Sequence, residues 1–224
     1  MVEWLLTPLD ASRAHDVGFA IAWHGRMMVL AWGFLFPLGI LIARYFKVLP
    51  GQDWPRVRDN KTWWHAHLAF HSAGAAVVVL AMALILFQEA RMWRITVHTL
   101  LGWGIIAALA GQFLLGWLRG SKGGPTEPNV RGDHYDMTLR RRLFEAAHKS
   151  LGYAALLASV AAILTGLWQA NAPRWMAITL IIWWMTLLTL AILLQRRGFQ
   201  VDTYQAIWGP GEEHPGNRNR IMEP

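Results

Sequence analysis

Apolar runs and polar breaks alternate along the chain, and five of the runs are long. From Trp63 to Phe87 there is no Asp, Glu, Lys or Arg. A helix rising about 1.5 Å per residue crosses a hydrocarbon core of about 30 Å within that length. Reading the other runs the same way predicts helices near 22–46, 63–88, 95–118, 144–168 and 174–195. The expected fold class is therefore all-α: a polytopic membrane helix bundle with five transmembrane helices. Pro37 lies in the middle of the first run and is expected to kink it. The breaks LPGQDWPRVRDN and RGSKGGPTEPNVRGDHYDMTLRRR, after the first and third runs, are long and rich in turn formers, whereas those after the second and fourth are short. Residues 1–21 are expected to form an extracytoplasmic N-terminal segment and 22–195 the membrane domain. Residues 196–224 read as a polar, loosely ordered cytoplasmic tail.

Composition agrees with the pattern. Hydrophobic residues make up 54% and charged residues 16%, and 14 of the 224 residues are Trp, which suits a membrane protein with aromatic anchors. Trp63, Trp64, Trp93, Trp117, Trp168 and Trp175 fall near predicted helix ends. The net charge of +7 would suggest a nucleic-acid partner in a soluble protein. Here the cations lie between apolar runs, so they read as topology signals and no nucleic acid is expected. Arg13, Arg26, Arg91, Arg94 and Arg174 fall on the side of the N-terminus, and the remaining 16 of the 21 Lys and Arg on the side of the C-terminus. The positive-inside rule then puts the N-terminus outside, in the periplasm, and the C-terminus in the cytoplasm. The N-terminus lacks the basic start of a cleaved signal peptide, and a bacterial inner membrane is the expected location.

The chain has no Cys, which excludes disulfides, thiolate metal sites and covalently attached c-type haem. Histidine is then the metal ligand to consider. The helix starts read AWHGRMM, WWHAHLAFH, ITVHTLLG and EAAHKSLG, which place His24, a histidine of the second helix, His98 and His148 each about one turn inside a boundary. Helix direction alternates, so His24 and His98 are expected near the outer face, and the second-helix histidine and His148 near the inner face. Ligands one turn in from each side stand roughly 20 Å apart along the membrane normal. Paired imidazoles closing both axial positions of a haem suit electron transfer better than oxygen activation.

On the second helix His65 points nearly opposite His67, while His67 and His71 share a face. His67 is at the depth that matches His148. His71 is either a partner to a haem propionate or backbone, or the ligand in place of His67, and His65 is expected to face the interface. His98 with Gly102 and His148 with Gly152 share His-x-x-x-Gly, and glycine on the ligand's face leaves space for a flat macrocycle. Arg26, two residues from His24, is a candidate partner for an outer propionate.

HGRMMVLAWGFLFPLGILIARYF, from His24 to Phe46, resembles the first haem-binding helix of the cytochrome b561 family, particularly the membrane module that often accompanies a DOMON domain. TWWHAHLAFH is similar to that family's Trp, three residues, His pattern at Trp63 and His67. VHTLLG and AHKSLGYAALLASVAAILTGL are similar to its third and fourth ligand segments. The resemblance covers roughly 20–195. It implies a four-helix core holding two noncovalent b-type haems, His24 paired with His98 and His67 with His148. After the second-helix ligand the family often has Arg next and Gln at i+4, where Leu68 and His71 stand here. No DOMON domain and no sixth helix precede the core, so a donor or acceptor domain is expected on another chain.

The function expected from all this is transmembrane electron transfer through two bis-histidine haems, linking a reductant to an acceptor. The reductant is a quinol, a soluble donor or a partner dehydrogenase; a separate periplasmic or membrane redox protein fits either end. Eukaryotic relatives of the family act as transmembrane reductases of ferric chelates or monodehydroascorbate, and the resemblance alone does not carry that substrate over. Lys61, Arg140, Arg141, Arg142 and Lys149 would draw an anionic donor inward, although positive-inside topology requires such residues in any case. A haem-bearing anchor subunit of a larger complex is the alternative, and the chain would then sit with partners or as a homodimer. A histidine-based proton or metal transporter is a further alternative, but no Asp or Glu lies in the central helix stretches to serve it.

Overall fold

The computed structural model describes residues 2–86, 95–126 and 129–218. Arg91, Trp93 and Arg94 lie outside them. The described residues are helical with no strand, and five helices are long and apolar enough to cross a membrane: Phe19–Tyr45, Thr62–Leu86, Val97–Leu118, Leu139–Gln169 and Arg174–Arg196. These are called spans one to five. The five predicted helices are all present.

Spans one and two pack as one antiparallel pair and spans three and four as another, with Ala31, Trp32, Phe36, Val78, Ile105, Ala155, Ala162, Ile163 and Leu180 at the shared core. Glycine permits the close approach of spans one and two. A Cβ on Gly74 would sit 2.5 Å from the Phe36 ring, and one on Gly39 would sit 2.6 Å from Cε1 of His71. Span five is held more loosely and exposes Ile181, Ile182, Leu188 and Ile192, as a lipid-facing helix does.

The expected kink at Pro37 takes the form of a π-helical stretch over Val29–Leu35. Proline has no N–H, so the carbonyl of Gly33, four residues earlier, loses its α-helical donor. The Trp183 indole of span five donates to that carbonyl at 2.8 Å, and its ring stacks on Phe34 with centroids 4.8 Å apart. An irregularity in span one thus docks span five.

Span four begins at Leu139, earlier than hydropathy places it. Thr138 caps the helix by accepting the Arg141 N–H, and Glu145 bridges Arg141 and Lys149 at 3.0 Å each. Those i,i+4 pairs extend a polar first turn that the apolar pattern cannot register.

Each end of the bundle carries a small cap. At the end nearer the N-terminus, residues 7–15 lie on the turn between spans four and five. Asn171, at φ 49°, accepts the Asp10 N–H at 2.8 Å and donates to the Arg13 carbonyl at 2.6 Å. At the other end the tail as far as Arg218 is folded, not loose. Short helices Thr203–Trp208 and Pro215–Arg218 pack on the loop between spans three and four, with Tyr204 only 1% exposed. Tyr204 donates to the Tyr135 carbonyl at 2.8 Å, and Lys47 to that of Val201 at 3.0 Å. Lys122 pairs with Asp59 at 2.6 Å. The tail's polar composition conceals a few aromatic residues, and these build the cap's core. Burial there depresses the His134 pKa to about 4 and that of Lys47 to about 8.

Candidate functional site

Two histidine pairs form inside the bundle, at different depths. His24 of span one faces His98 of span three with ring centroids 6.4 Å apart, and His67 of span two faces His148 of span four at 6.3 Å. No hydrogen bond joins the rings of either pair among the described residues, so direct His–His bonding does not explain them.

Backbone carbonyls aim these rings. Nδ1 of His24 donates to Ala81 O at 3.1 Å, Nδ1 of His98 to Ala162 O at 2.8 Å, and Nδ1 of His67 to Gly39 O at 3.3 Å. With the proton on Nδ1, the lone pair is left on Nε2, the arrangement in which a neutral imidazole binds a metal. These bonds also fix depth. His24 is level with Ala81, fourteen positions beyond His67, and His98 is level with Ala162, fourteen positions beyond His148. Along straight helices that puts the two pairs roughly 21 Å apart.

His148 is held differently. Its Nδ1 is buried and finds no partner among the described residues. The ring stacks on Phe144, centroids 5.2 Å apart, while the Gln112 amide donates to the His148 carbonyl at 2.8 Å. His71 donates from Nδ1 to the His67 carbonyl at 2.9 Å, its ring 4.1 Å from that of His67. His65 is exposed. The Trp64 ring lies 6.3 Å from His67 and carries the Arg119 guanidinium 4.4 Å above its centre.

The remaining predicted residues are placed as follows. Arg26 is exposed, with its guanidinium 5.3 Å from the Trp23 ring centre. Space is open beside Gly102, whereas a Cβ on Gly152 would meet Gln112 at 3.2 Å. Arg141 is buried against Glu145, which leaves Lys61, Arg140 and Arg142 as the exposed cations of the expected anion-attracting group that carry no ion pair among the described residues. Sequence reasoning missed Gln112, Phe144 and Gly166, whose added Cβ would sit 2.9 Å from Cε1 of His98. It could not have found the acceptors at Ala81 and Ala162, because every residue carries a carbonyl.

The chain is 28% identical over 166 residues to a cytochrome b561, DM13 and DOMON domain-containing protein of Arabidopsis thaliana, a match covering 74% of this chain and 16% of that protein. It is 27% identical over 146 residues to ferric-chelate reductase 1 of Bos taurus, covering 64% of this chain and 22% of the relative. A shorter match, 33% identical over 60 residues, joins 27% of the chain to 13% of a cytochrome b561 and DOMON domain-containing protein of Arabidopsis thaliana. The chain thus corresponds to less than a quarter of each of these relatives. No protein-family model matches it. No solved structure does either. The five spans and the named relatives together support one reading: the chain is similar to the integral membrane module of cytochrome b561 family proteins.

Proposed function

We propose that the chain carries electrons across a membrane by way of two haem b groups, one held by His24 and His98 and the other by His67 and His148. The observation that carries this reading is the spacing within the pairs. Two imidazoles binding one metal ion between them, at about 2 Å each, have ring centres about 6 Å apart. The measured separations are 6.4 and 6.3 Å. The Nδ1 bonds of His24, His98 and His67 supply the orientation a ligating imidazole needs. Haem b, held by these histidines, would supply iron that cycles between ferric and ferrous states.

The chain's residues then have distinct tasks. The four histidines hold the two sites, and the carbonyls of Ala81, Ala162 and Gly39 keep three of the rings turned to their partners. The apolar bundle excludes water between them. His71 positions His67 through its backbone and lines the inner site, and Arg26 is placed for an outer propionate. In this reading the membrane is a bacterial inner membrane, and the Lys and Arg count argues for a periplasmic N-terminus and a cytoplasmic C-terminus. The name of the bovine relative makes a ferric chelate one acceptor class to test. A quinol or a partner redox protein is the donor class. As the matched module forms only part of each relative, a second reading has the chain serve as the haem-bearing subunit of a larger redox complex.

The test is a reduced-minus-oxidised visible spectrum of the purified full chain, with haem quantified per polypeptide. About two b-type haems per chain is the expected outcome. None, under haem-replete expression, would refute the electron-transfer reading.

A further inference from the structure

One groove of about 380 Å³ opens at the membrane boundary where spans one and five end, and the haem reading does not use it. Its lining divides by chemistry. Leu188, Ala191 and Ile192 form an apolar wall on span five, and Arg44, Gln195 and Arg196 form its polar rim. Leu188 and Ile192 are exposed, so the wall faces the lipid. A shallow groove open along one side suits an extended chain better than a compact solute.

The rim carries two cations and no compensating anion. Arg44 is bound only by neutral oxygens: Nε donates to Tyr45 Oη at 3.2 Å, Nη1 to Tyr153 Oη at 3.1 Å, and Nη2 to the side-chain oxygens of Gln195 and Gln200, both at 3.2 Å. Neither Arg44 nor Arg196 forms an ion pair among the described residues, although Arg13, Arg56, Arg131 and Arg141 all do. A guanidinium at the edge of a low-dielectric phase is costly without a counter-charge. Tyr153, Gln195 and Gln200 fix the Arg44 fork without neutralising it, and one Nη1 proton remains to be donated. Arg44 is in the last turn of span one and Arg196 ends span five, so both lie at the depth of lipid phosphates.

We propose that this groove binds one anionic phospholipid, its phosphate on Arg44 and Arg196 and an acyl chain along Leu188, Ala191 and Ile192. Planar guanidinium recognises phosphate with paired N–H donors, and basic pockets between membrane helices at this face select acidic headgroups. The bound lipid also bridges spans one and five at this end, as the Trp183 contact to Gly33 joins them further along the bundle. This inference stands apart from the haem reading, since it needs no haem.

The test is native mass spectrometry of the detergent-solubilised full chain, incubated with phosphatidylglycerol or with phosphatidylcholine of the same acyl chains. One phosphatidylglycerol should be retained per chain with at least tenfold preference. Arg196→Gln should lose that preference, whereas Arg197→Gln, which removes the same charge just outside the groove, should keep it. Arg44→Gln would cut contacts to four side chains and could unfold the boundary, so Arg196→Gln decides. Equal retention of the two lipids, or equal behaviour of Arg196→Gln and Arg197→Gln, overturns the proposal. Displacement of the lipid by millimolar sodium phosphate overturns the assignment to a lipid.

Discussion

The pair His24 and His98 and the pair His67 and His148, called outer and inner after the proposed orientation, have nearly the same separation and very different support. Both outer rings are tied through Nδ1 to a carbonyl on a neighbouring span, at 3.1 and 2.8 Å. On the inner side His67 has a longer bond of 3.3 Å, and the buried Nδ1 of His148 has none. The inner pair is instead crowded by His71 and Phe144 and overlaid one turn away by the Arg141, Glu145 and Lys149 network. Spacing is therefore alike at both ends, while hydrogen bonding and charge differentiate the two sites.

The comparison breaks most severely if the pairs are not independent. His24→Ala or His98→Ala should lower haem content from two per chain to one and leave the inner spectrum, and His67→Ala or His148→Ala should do the converse. Haem quantified per polypeptide, with low-temperature spectra of each variant, checks this. Loss of both haems from a single substitution would show that the sites form together. His71→Ala should keep two haems; if it removes the inner one while His67→Ala does not, the inner ligands are His71 and His148.

The next effect is in potential. A carbonyl accepting from Nδ1 makes an imidazole more electron-rich and favours the ferric state. Lacking that bond at His148, and with cations a turn away, the inner site should have the higher potential. The gap should be tens of millivolts, since a tenfold difference in relative affinity for the two oxidation states corresponds to about 59 mV for one electron. Spectroelectrochemical titration of the two single-haem variants measures it, and an inner potential equal to or below the outer would remove the significance given to the Nδ1 contacts.

Much of this was legible in the sequence because its signals are periodic. The five spans followed from apolar run length, and the levels of His24, His98, His67 and His148 followed from helix direction. The features that separate the two ends were not legible, for physical reasons. Carbonyl acceptors have no residue signature. The extension of span four rests on ion pairs that hydropathy counts as polar, and the inner cap rests on Tyr204 packed against the distant Tyr135. The glycine signal was read at Gly102 and Gly152, where the tight fits to histidine rings occur at Gly39 and Gly166.

Those two glycines sharpen the comparison at smaller energy. A Cβ on Gly39 would lie 2.6 Å from Cε1 of His71 and 3.1 Å from Cβ of Phe70, and one on Gly166 would lie 2.9 Å from Cε1 of His98. Each alanine variant should cost about 1–3 kcal/mol of overpacking. Gly39→Ala should perturb the inner spectrum alone and Gly166→Ala the outer alone. A Cβ on Gly102 would meet no protein atom within 4 Å, so a change in the outer spectrum of Gly102→Ala would report contact with the bound group and not protein overpacking.

The most local effect distinguishes the caps by acid. His134 of the inner cap is 3% exposed, and burial, reinforced by Arg141, depresses its pKa from 6.5 to about 4. Between those values the unfolded cap binds a proton that the folded one does not. Stability is therefore fully present above about pH 6.5 and falls as pH drops towards 4, by at most about 1.4 kcal/mol per pH unit. The outer cap contains Asp10, whose pKa is lowered from 3.8 by hydrogen bonds from Ser12, so its carboxylate loses its advantage only below that window. Lowering pH from 6.5 to 4 should lower the amide protection factors, corrected for the intrinsic pH dependence of exchange, in Thr203–Trp208 while leaving those of the turn around Asn171 unchanged. His134→Phe, which removes the proton acceptor and keeps an aromatic ring beside Tyr204 and Trp208, should flatten that pH dependence. If the protection factors of the two caps fall together across the window, His134 does not set the acid response of the inner end.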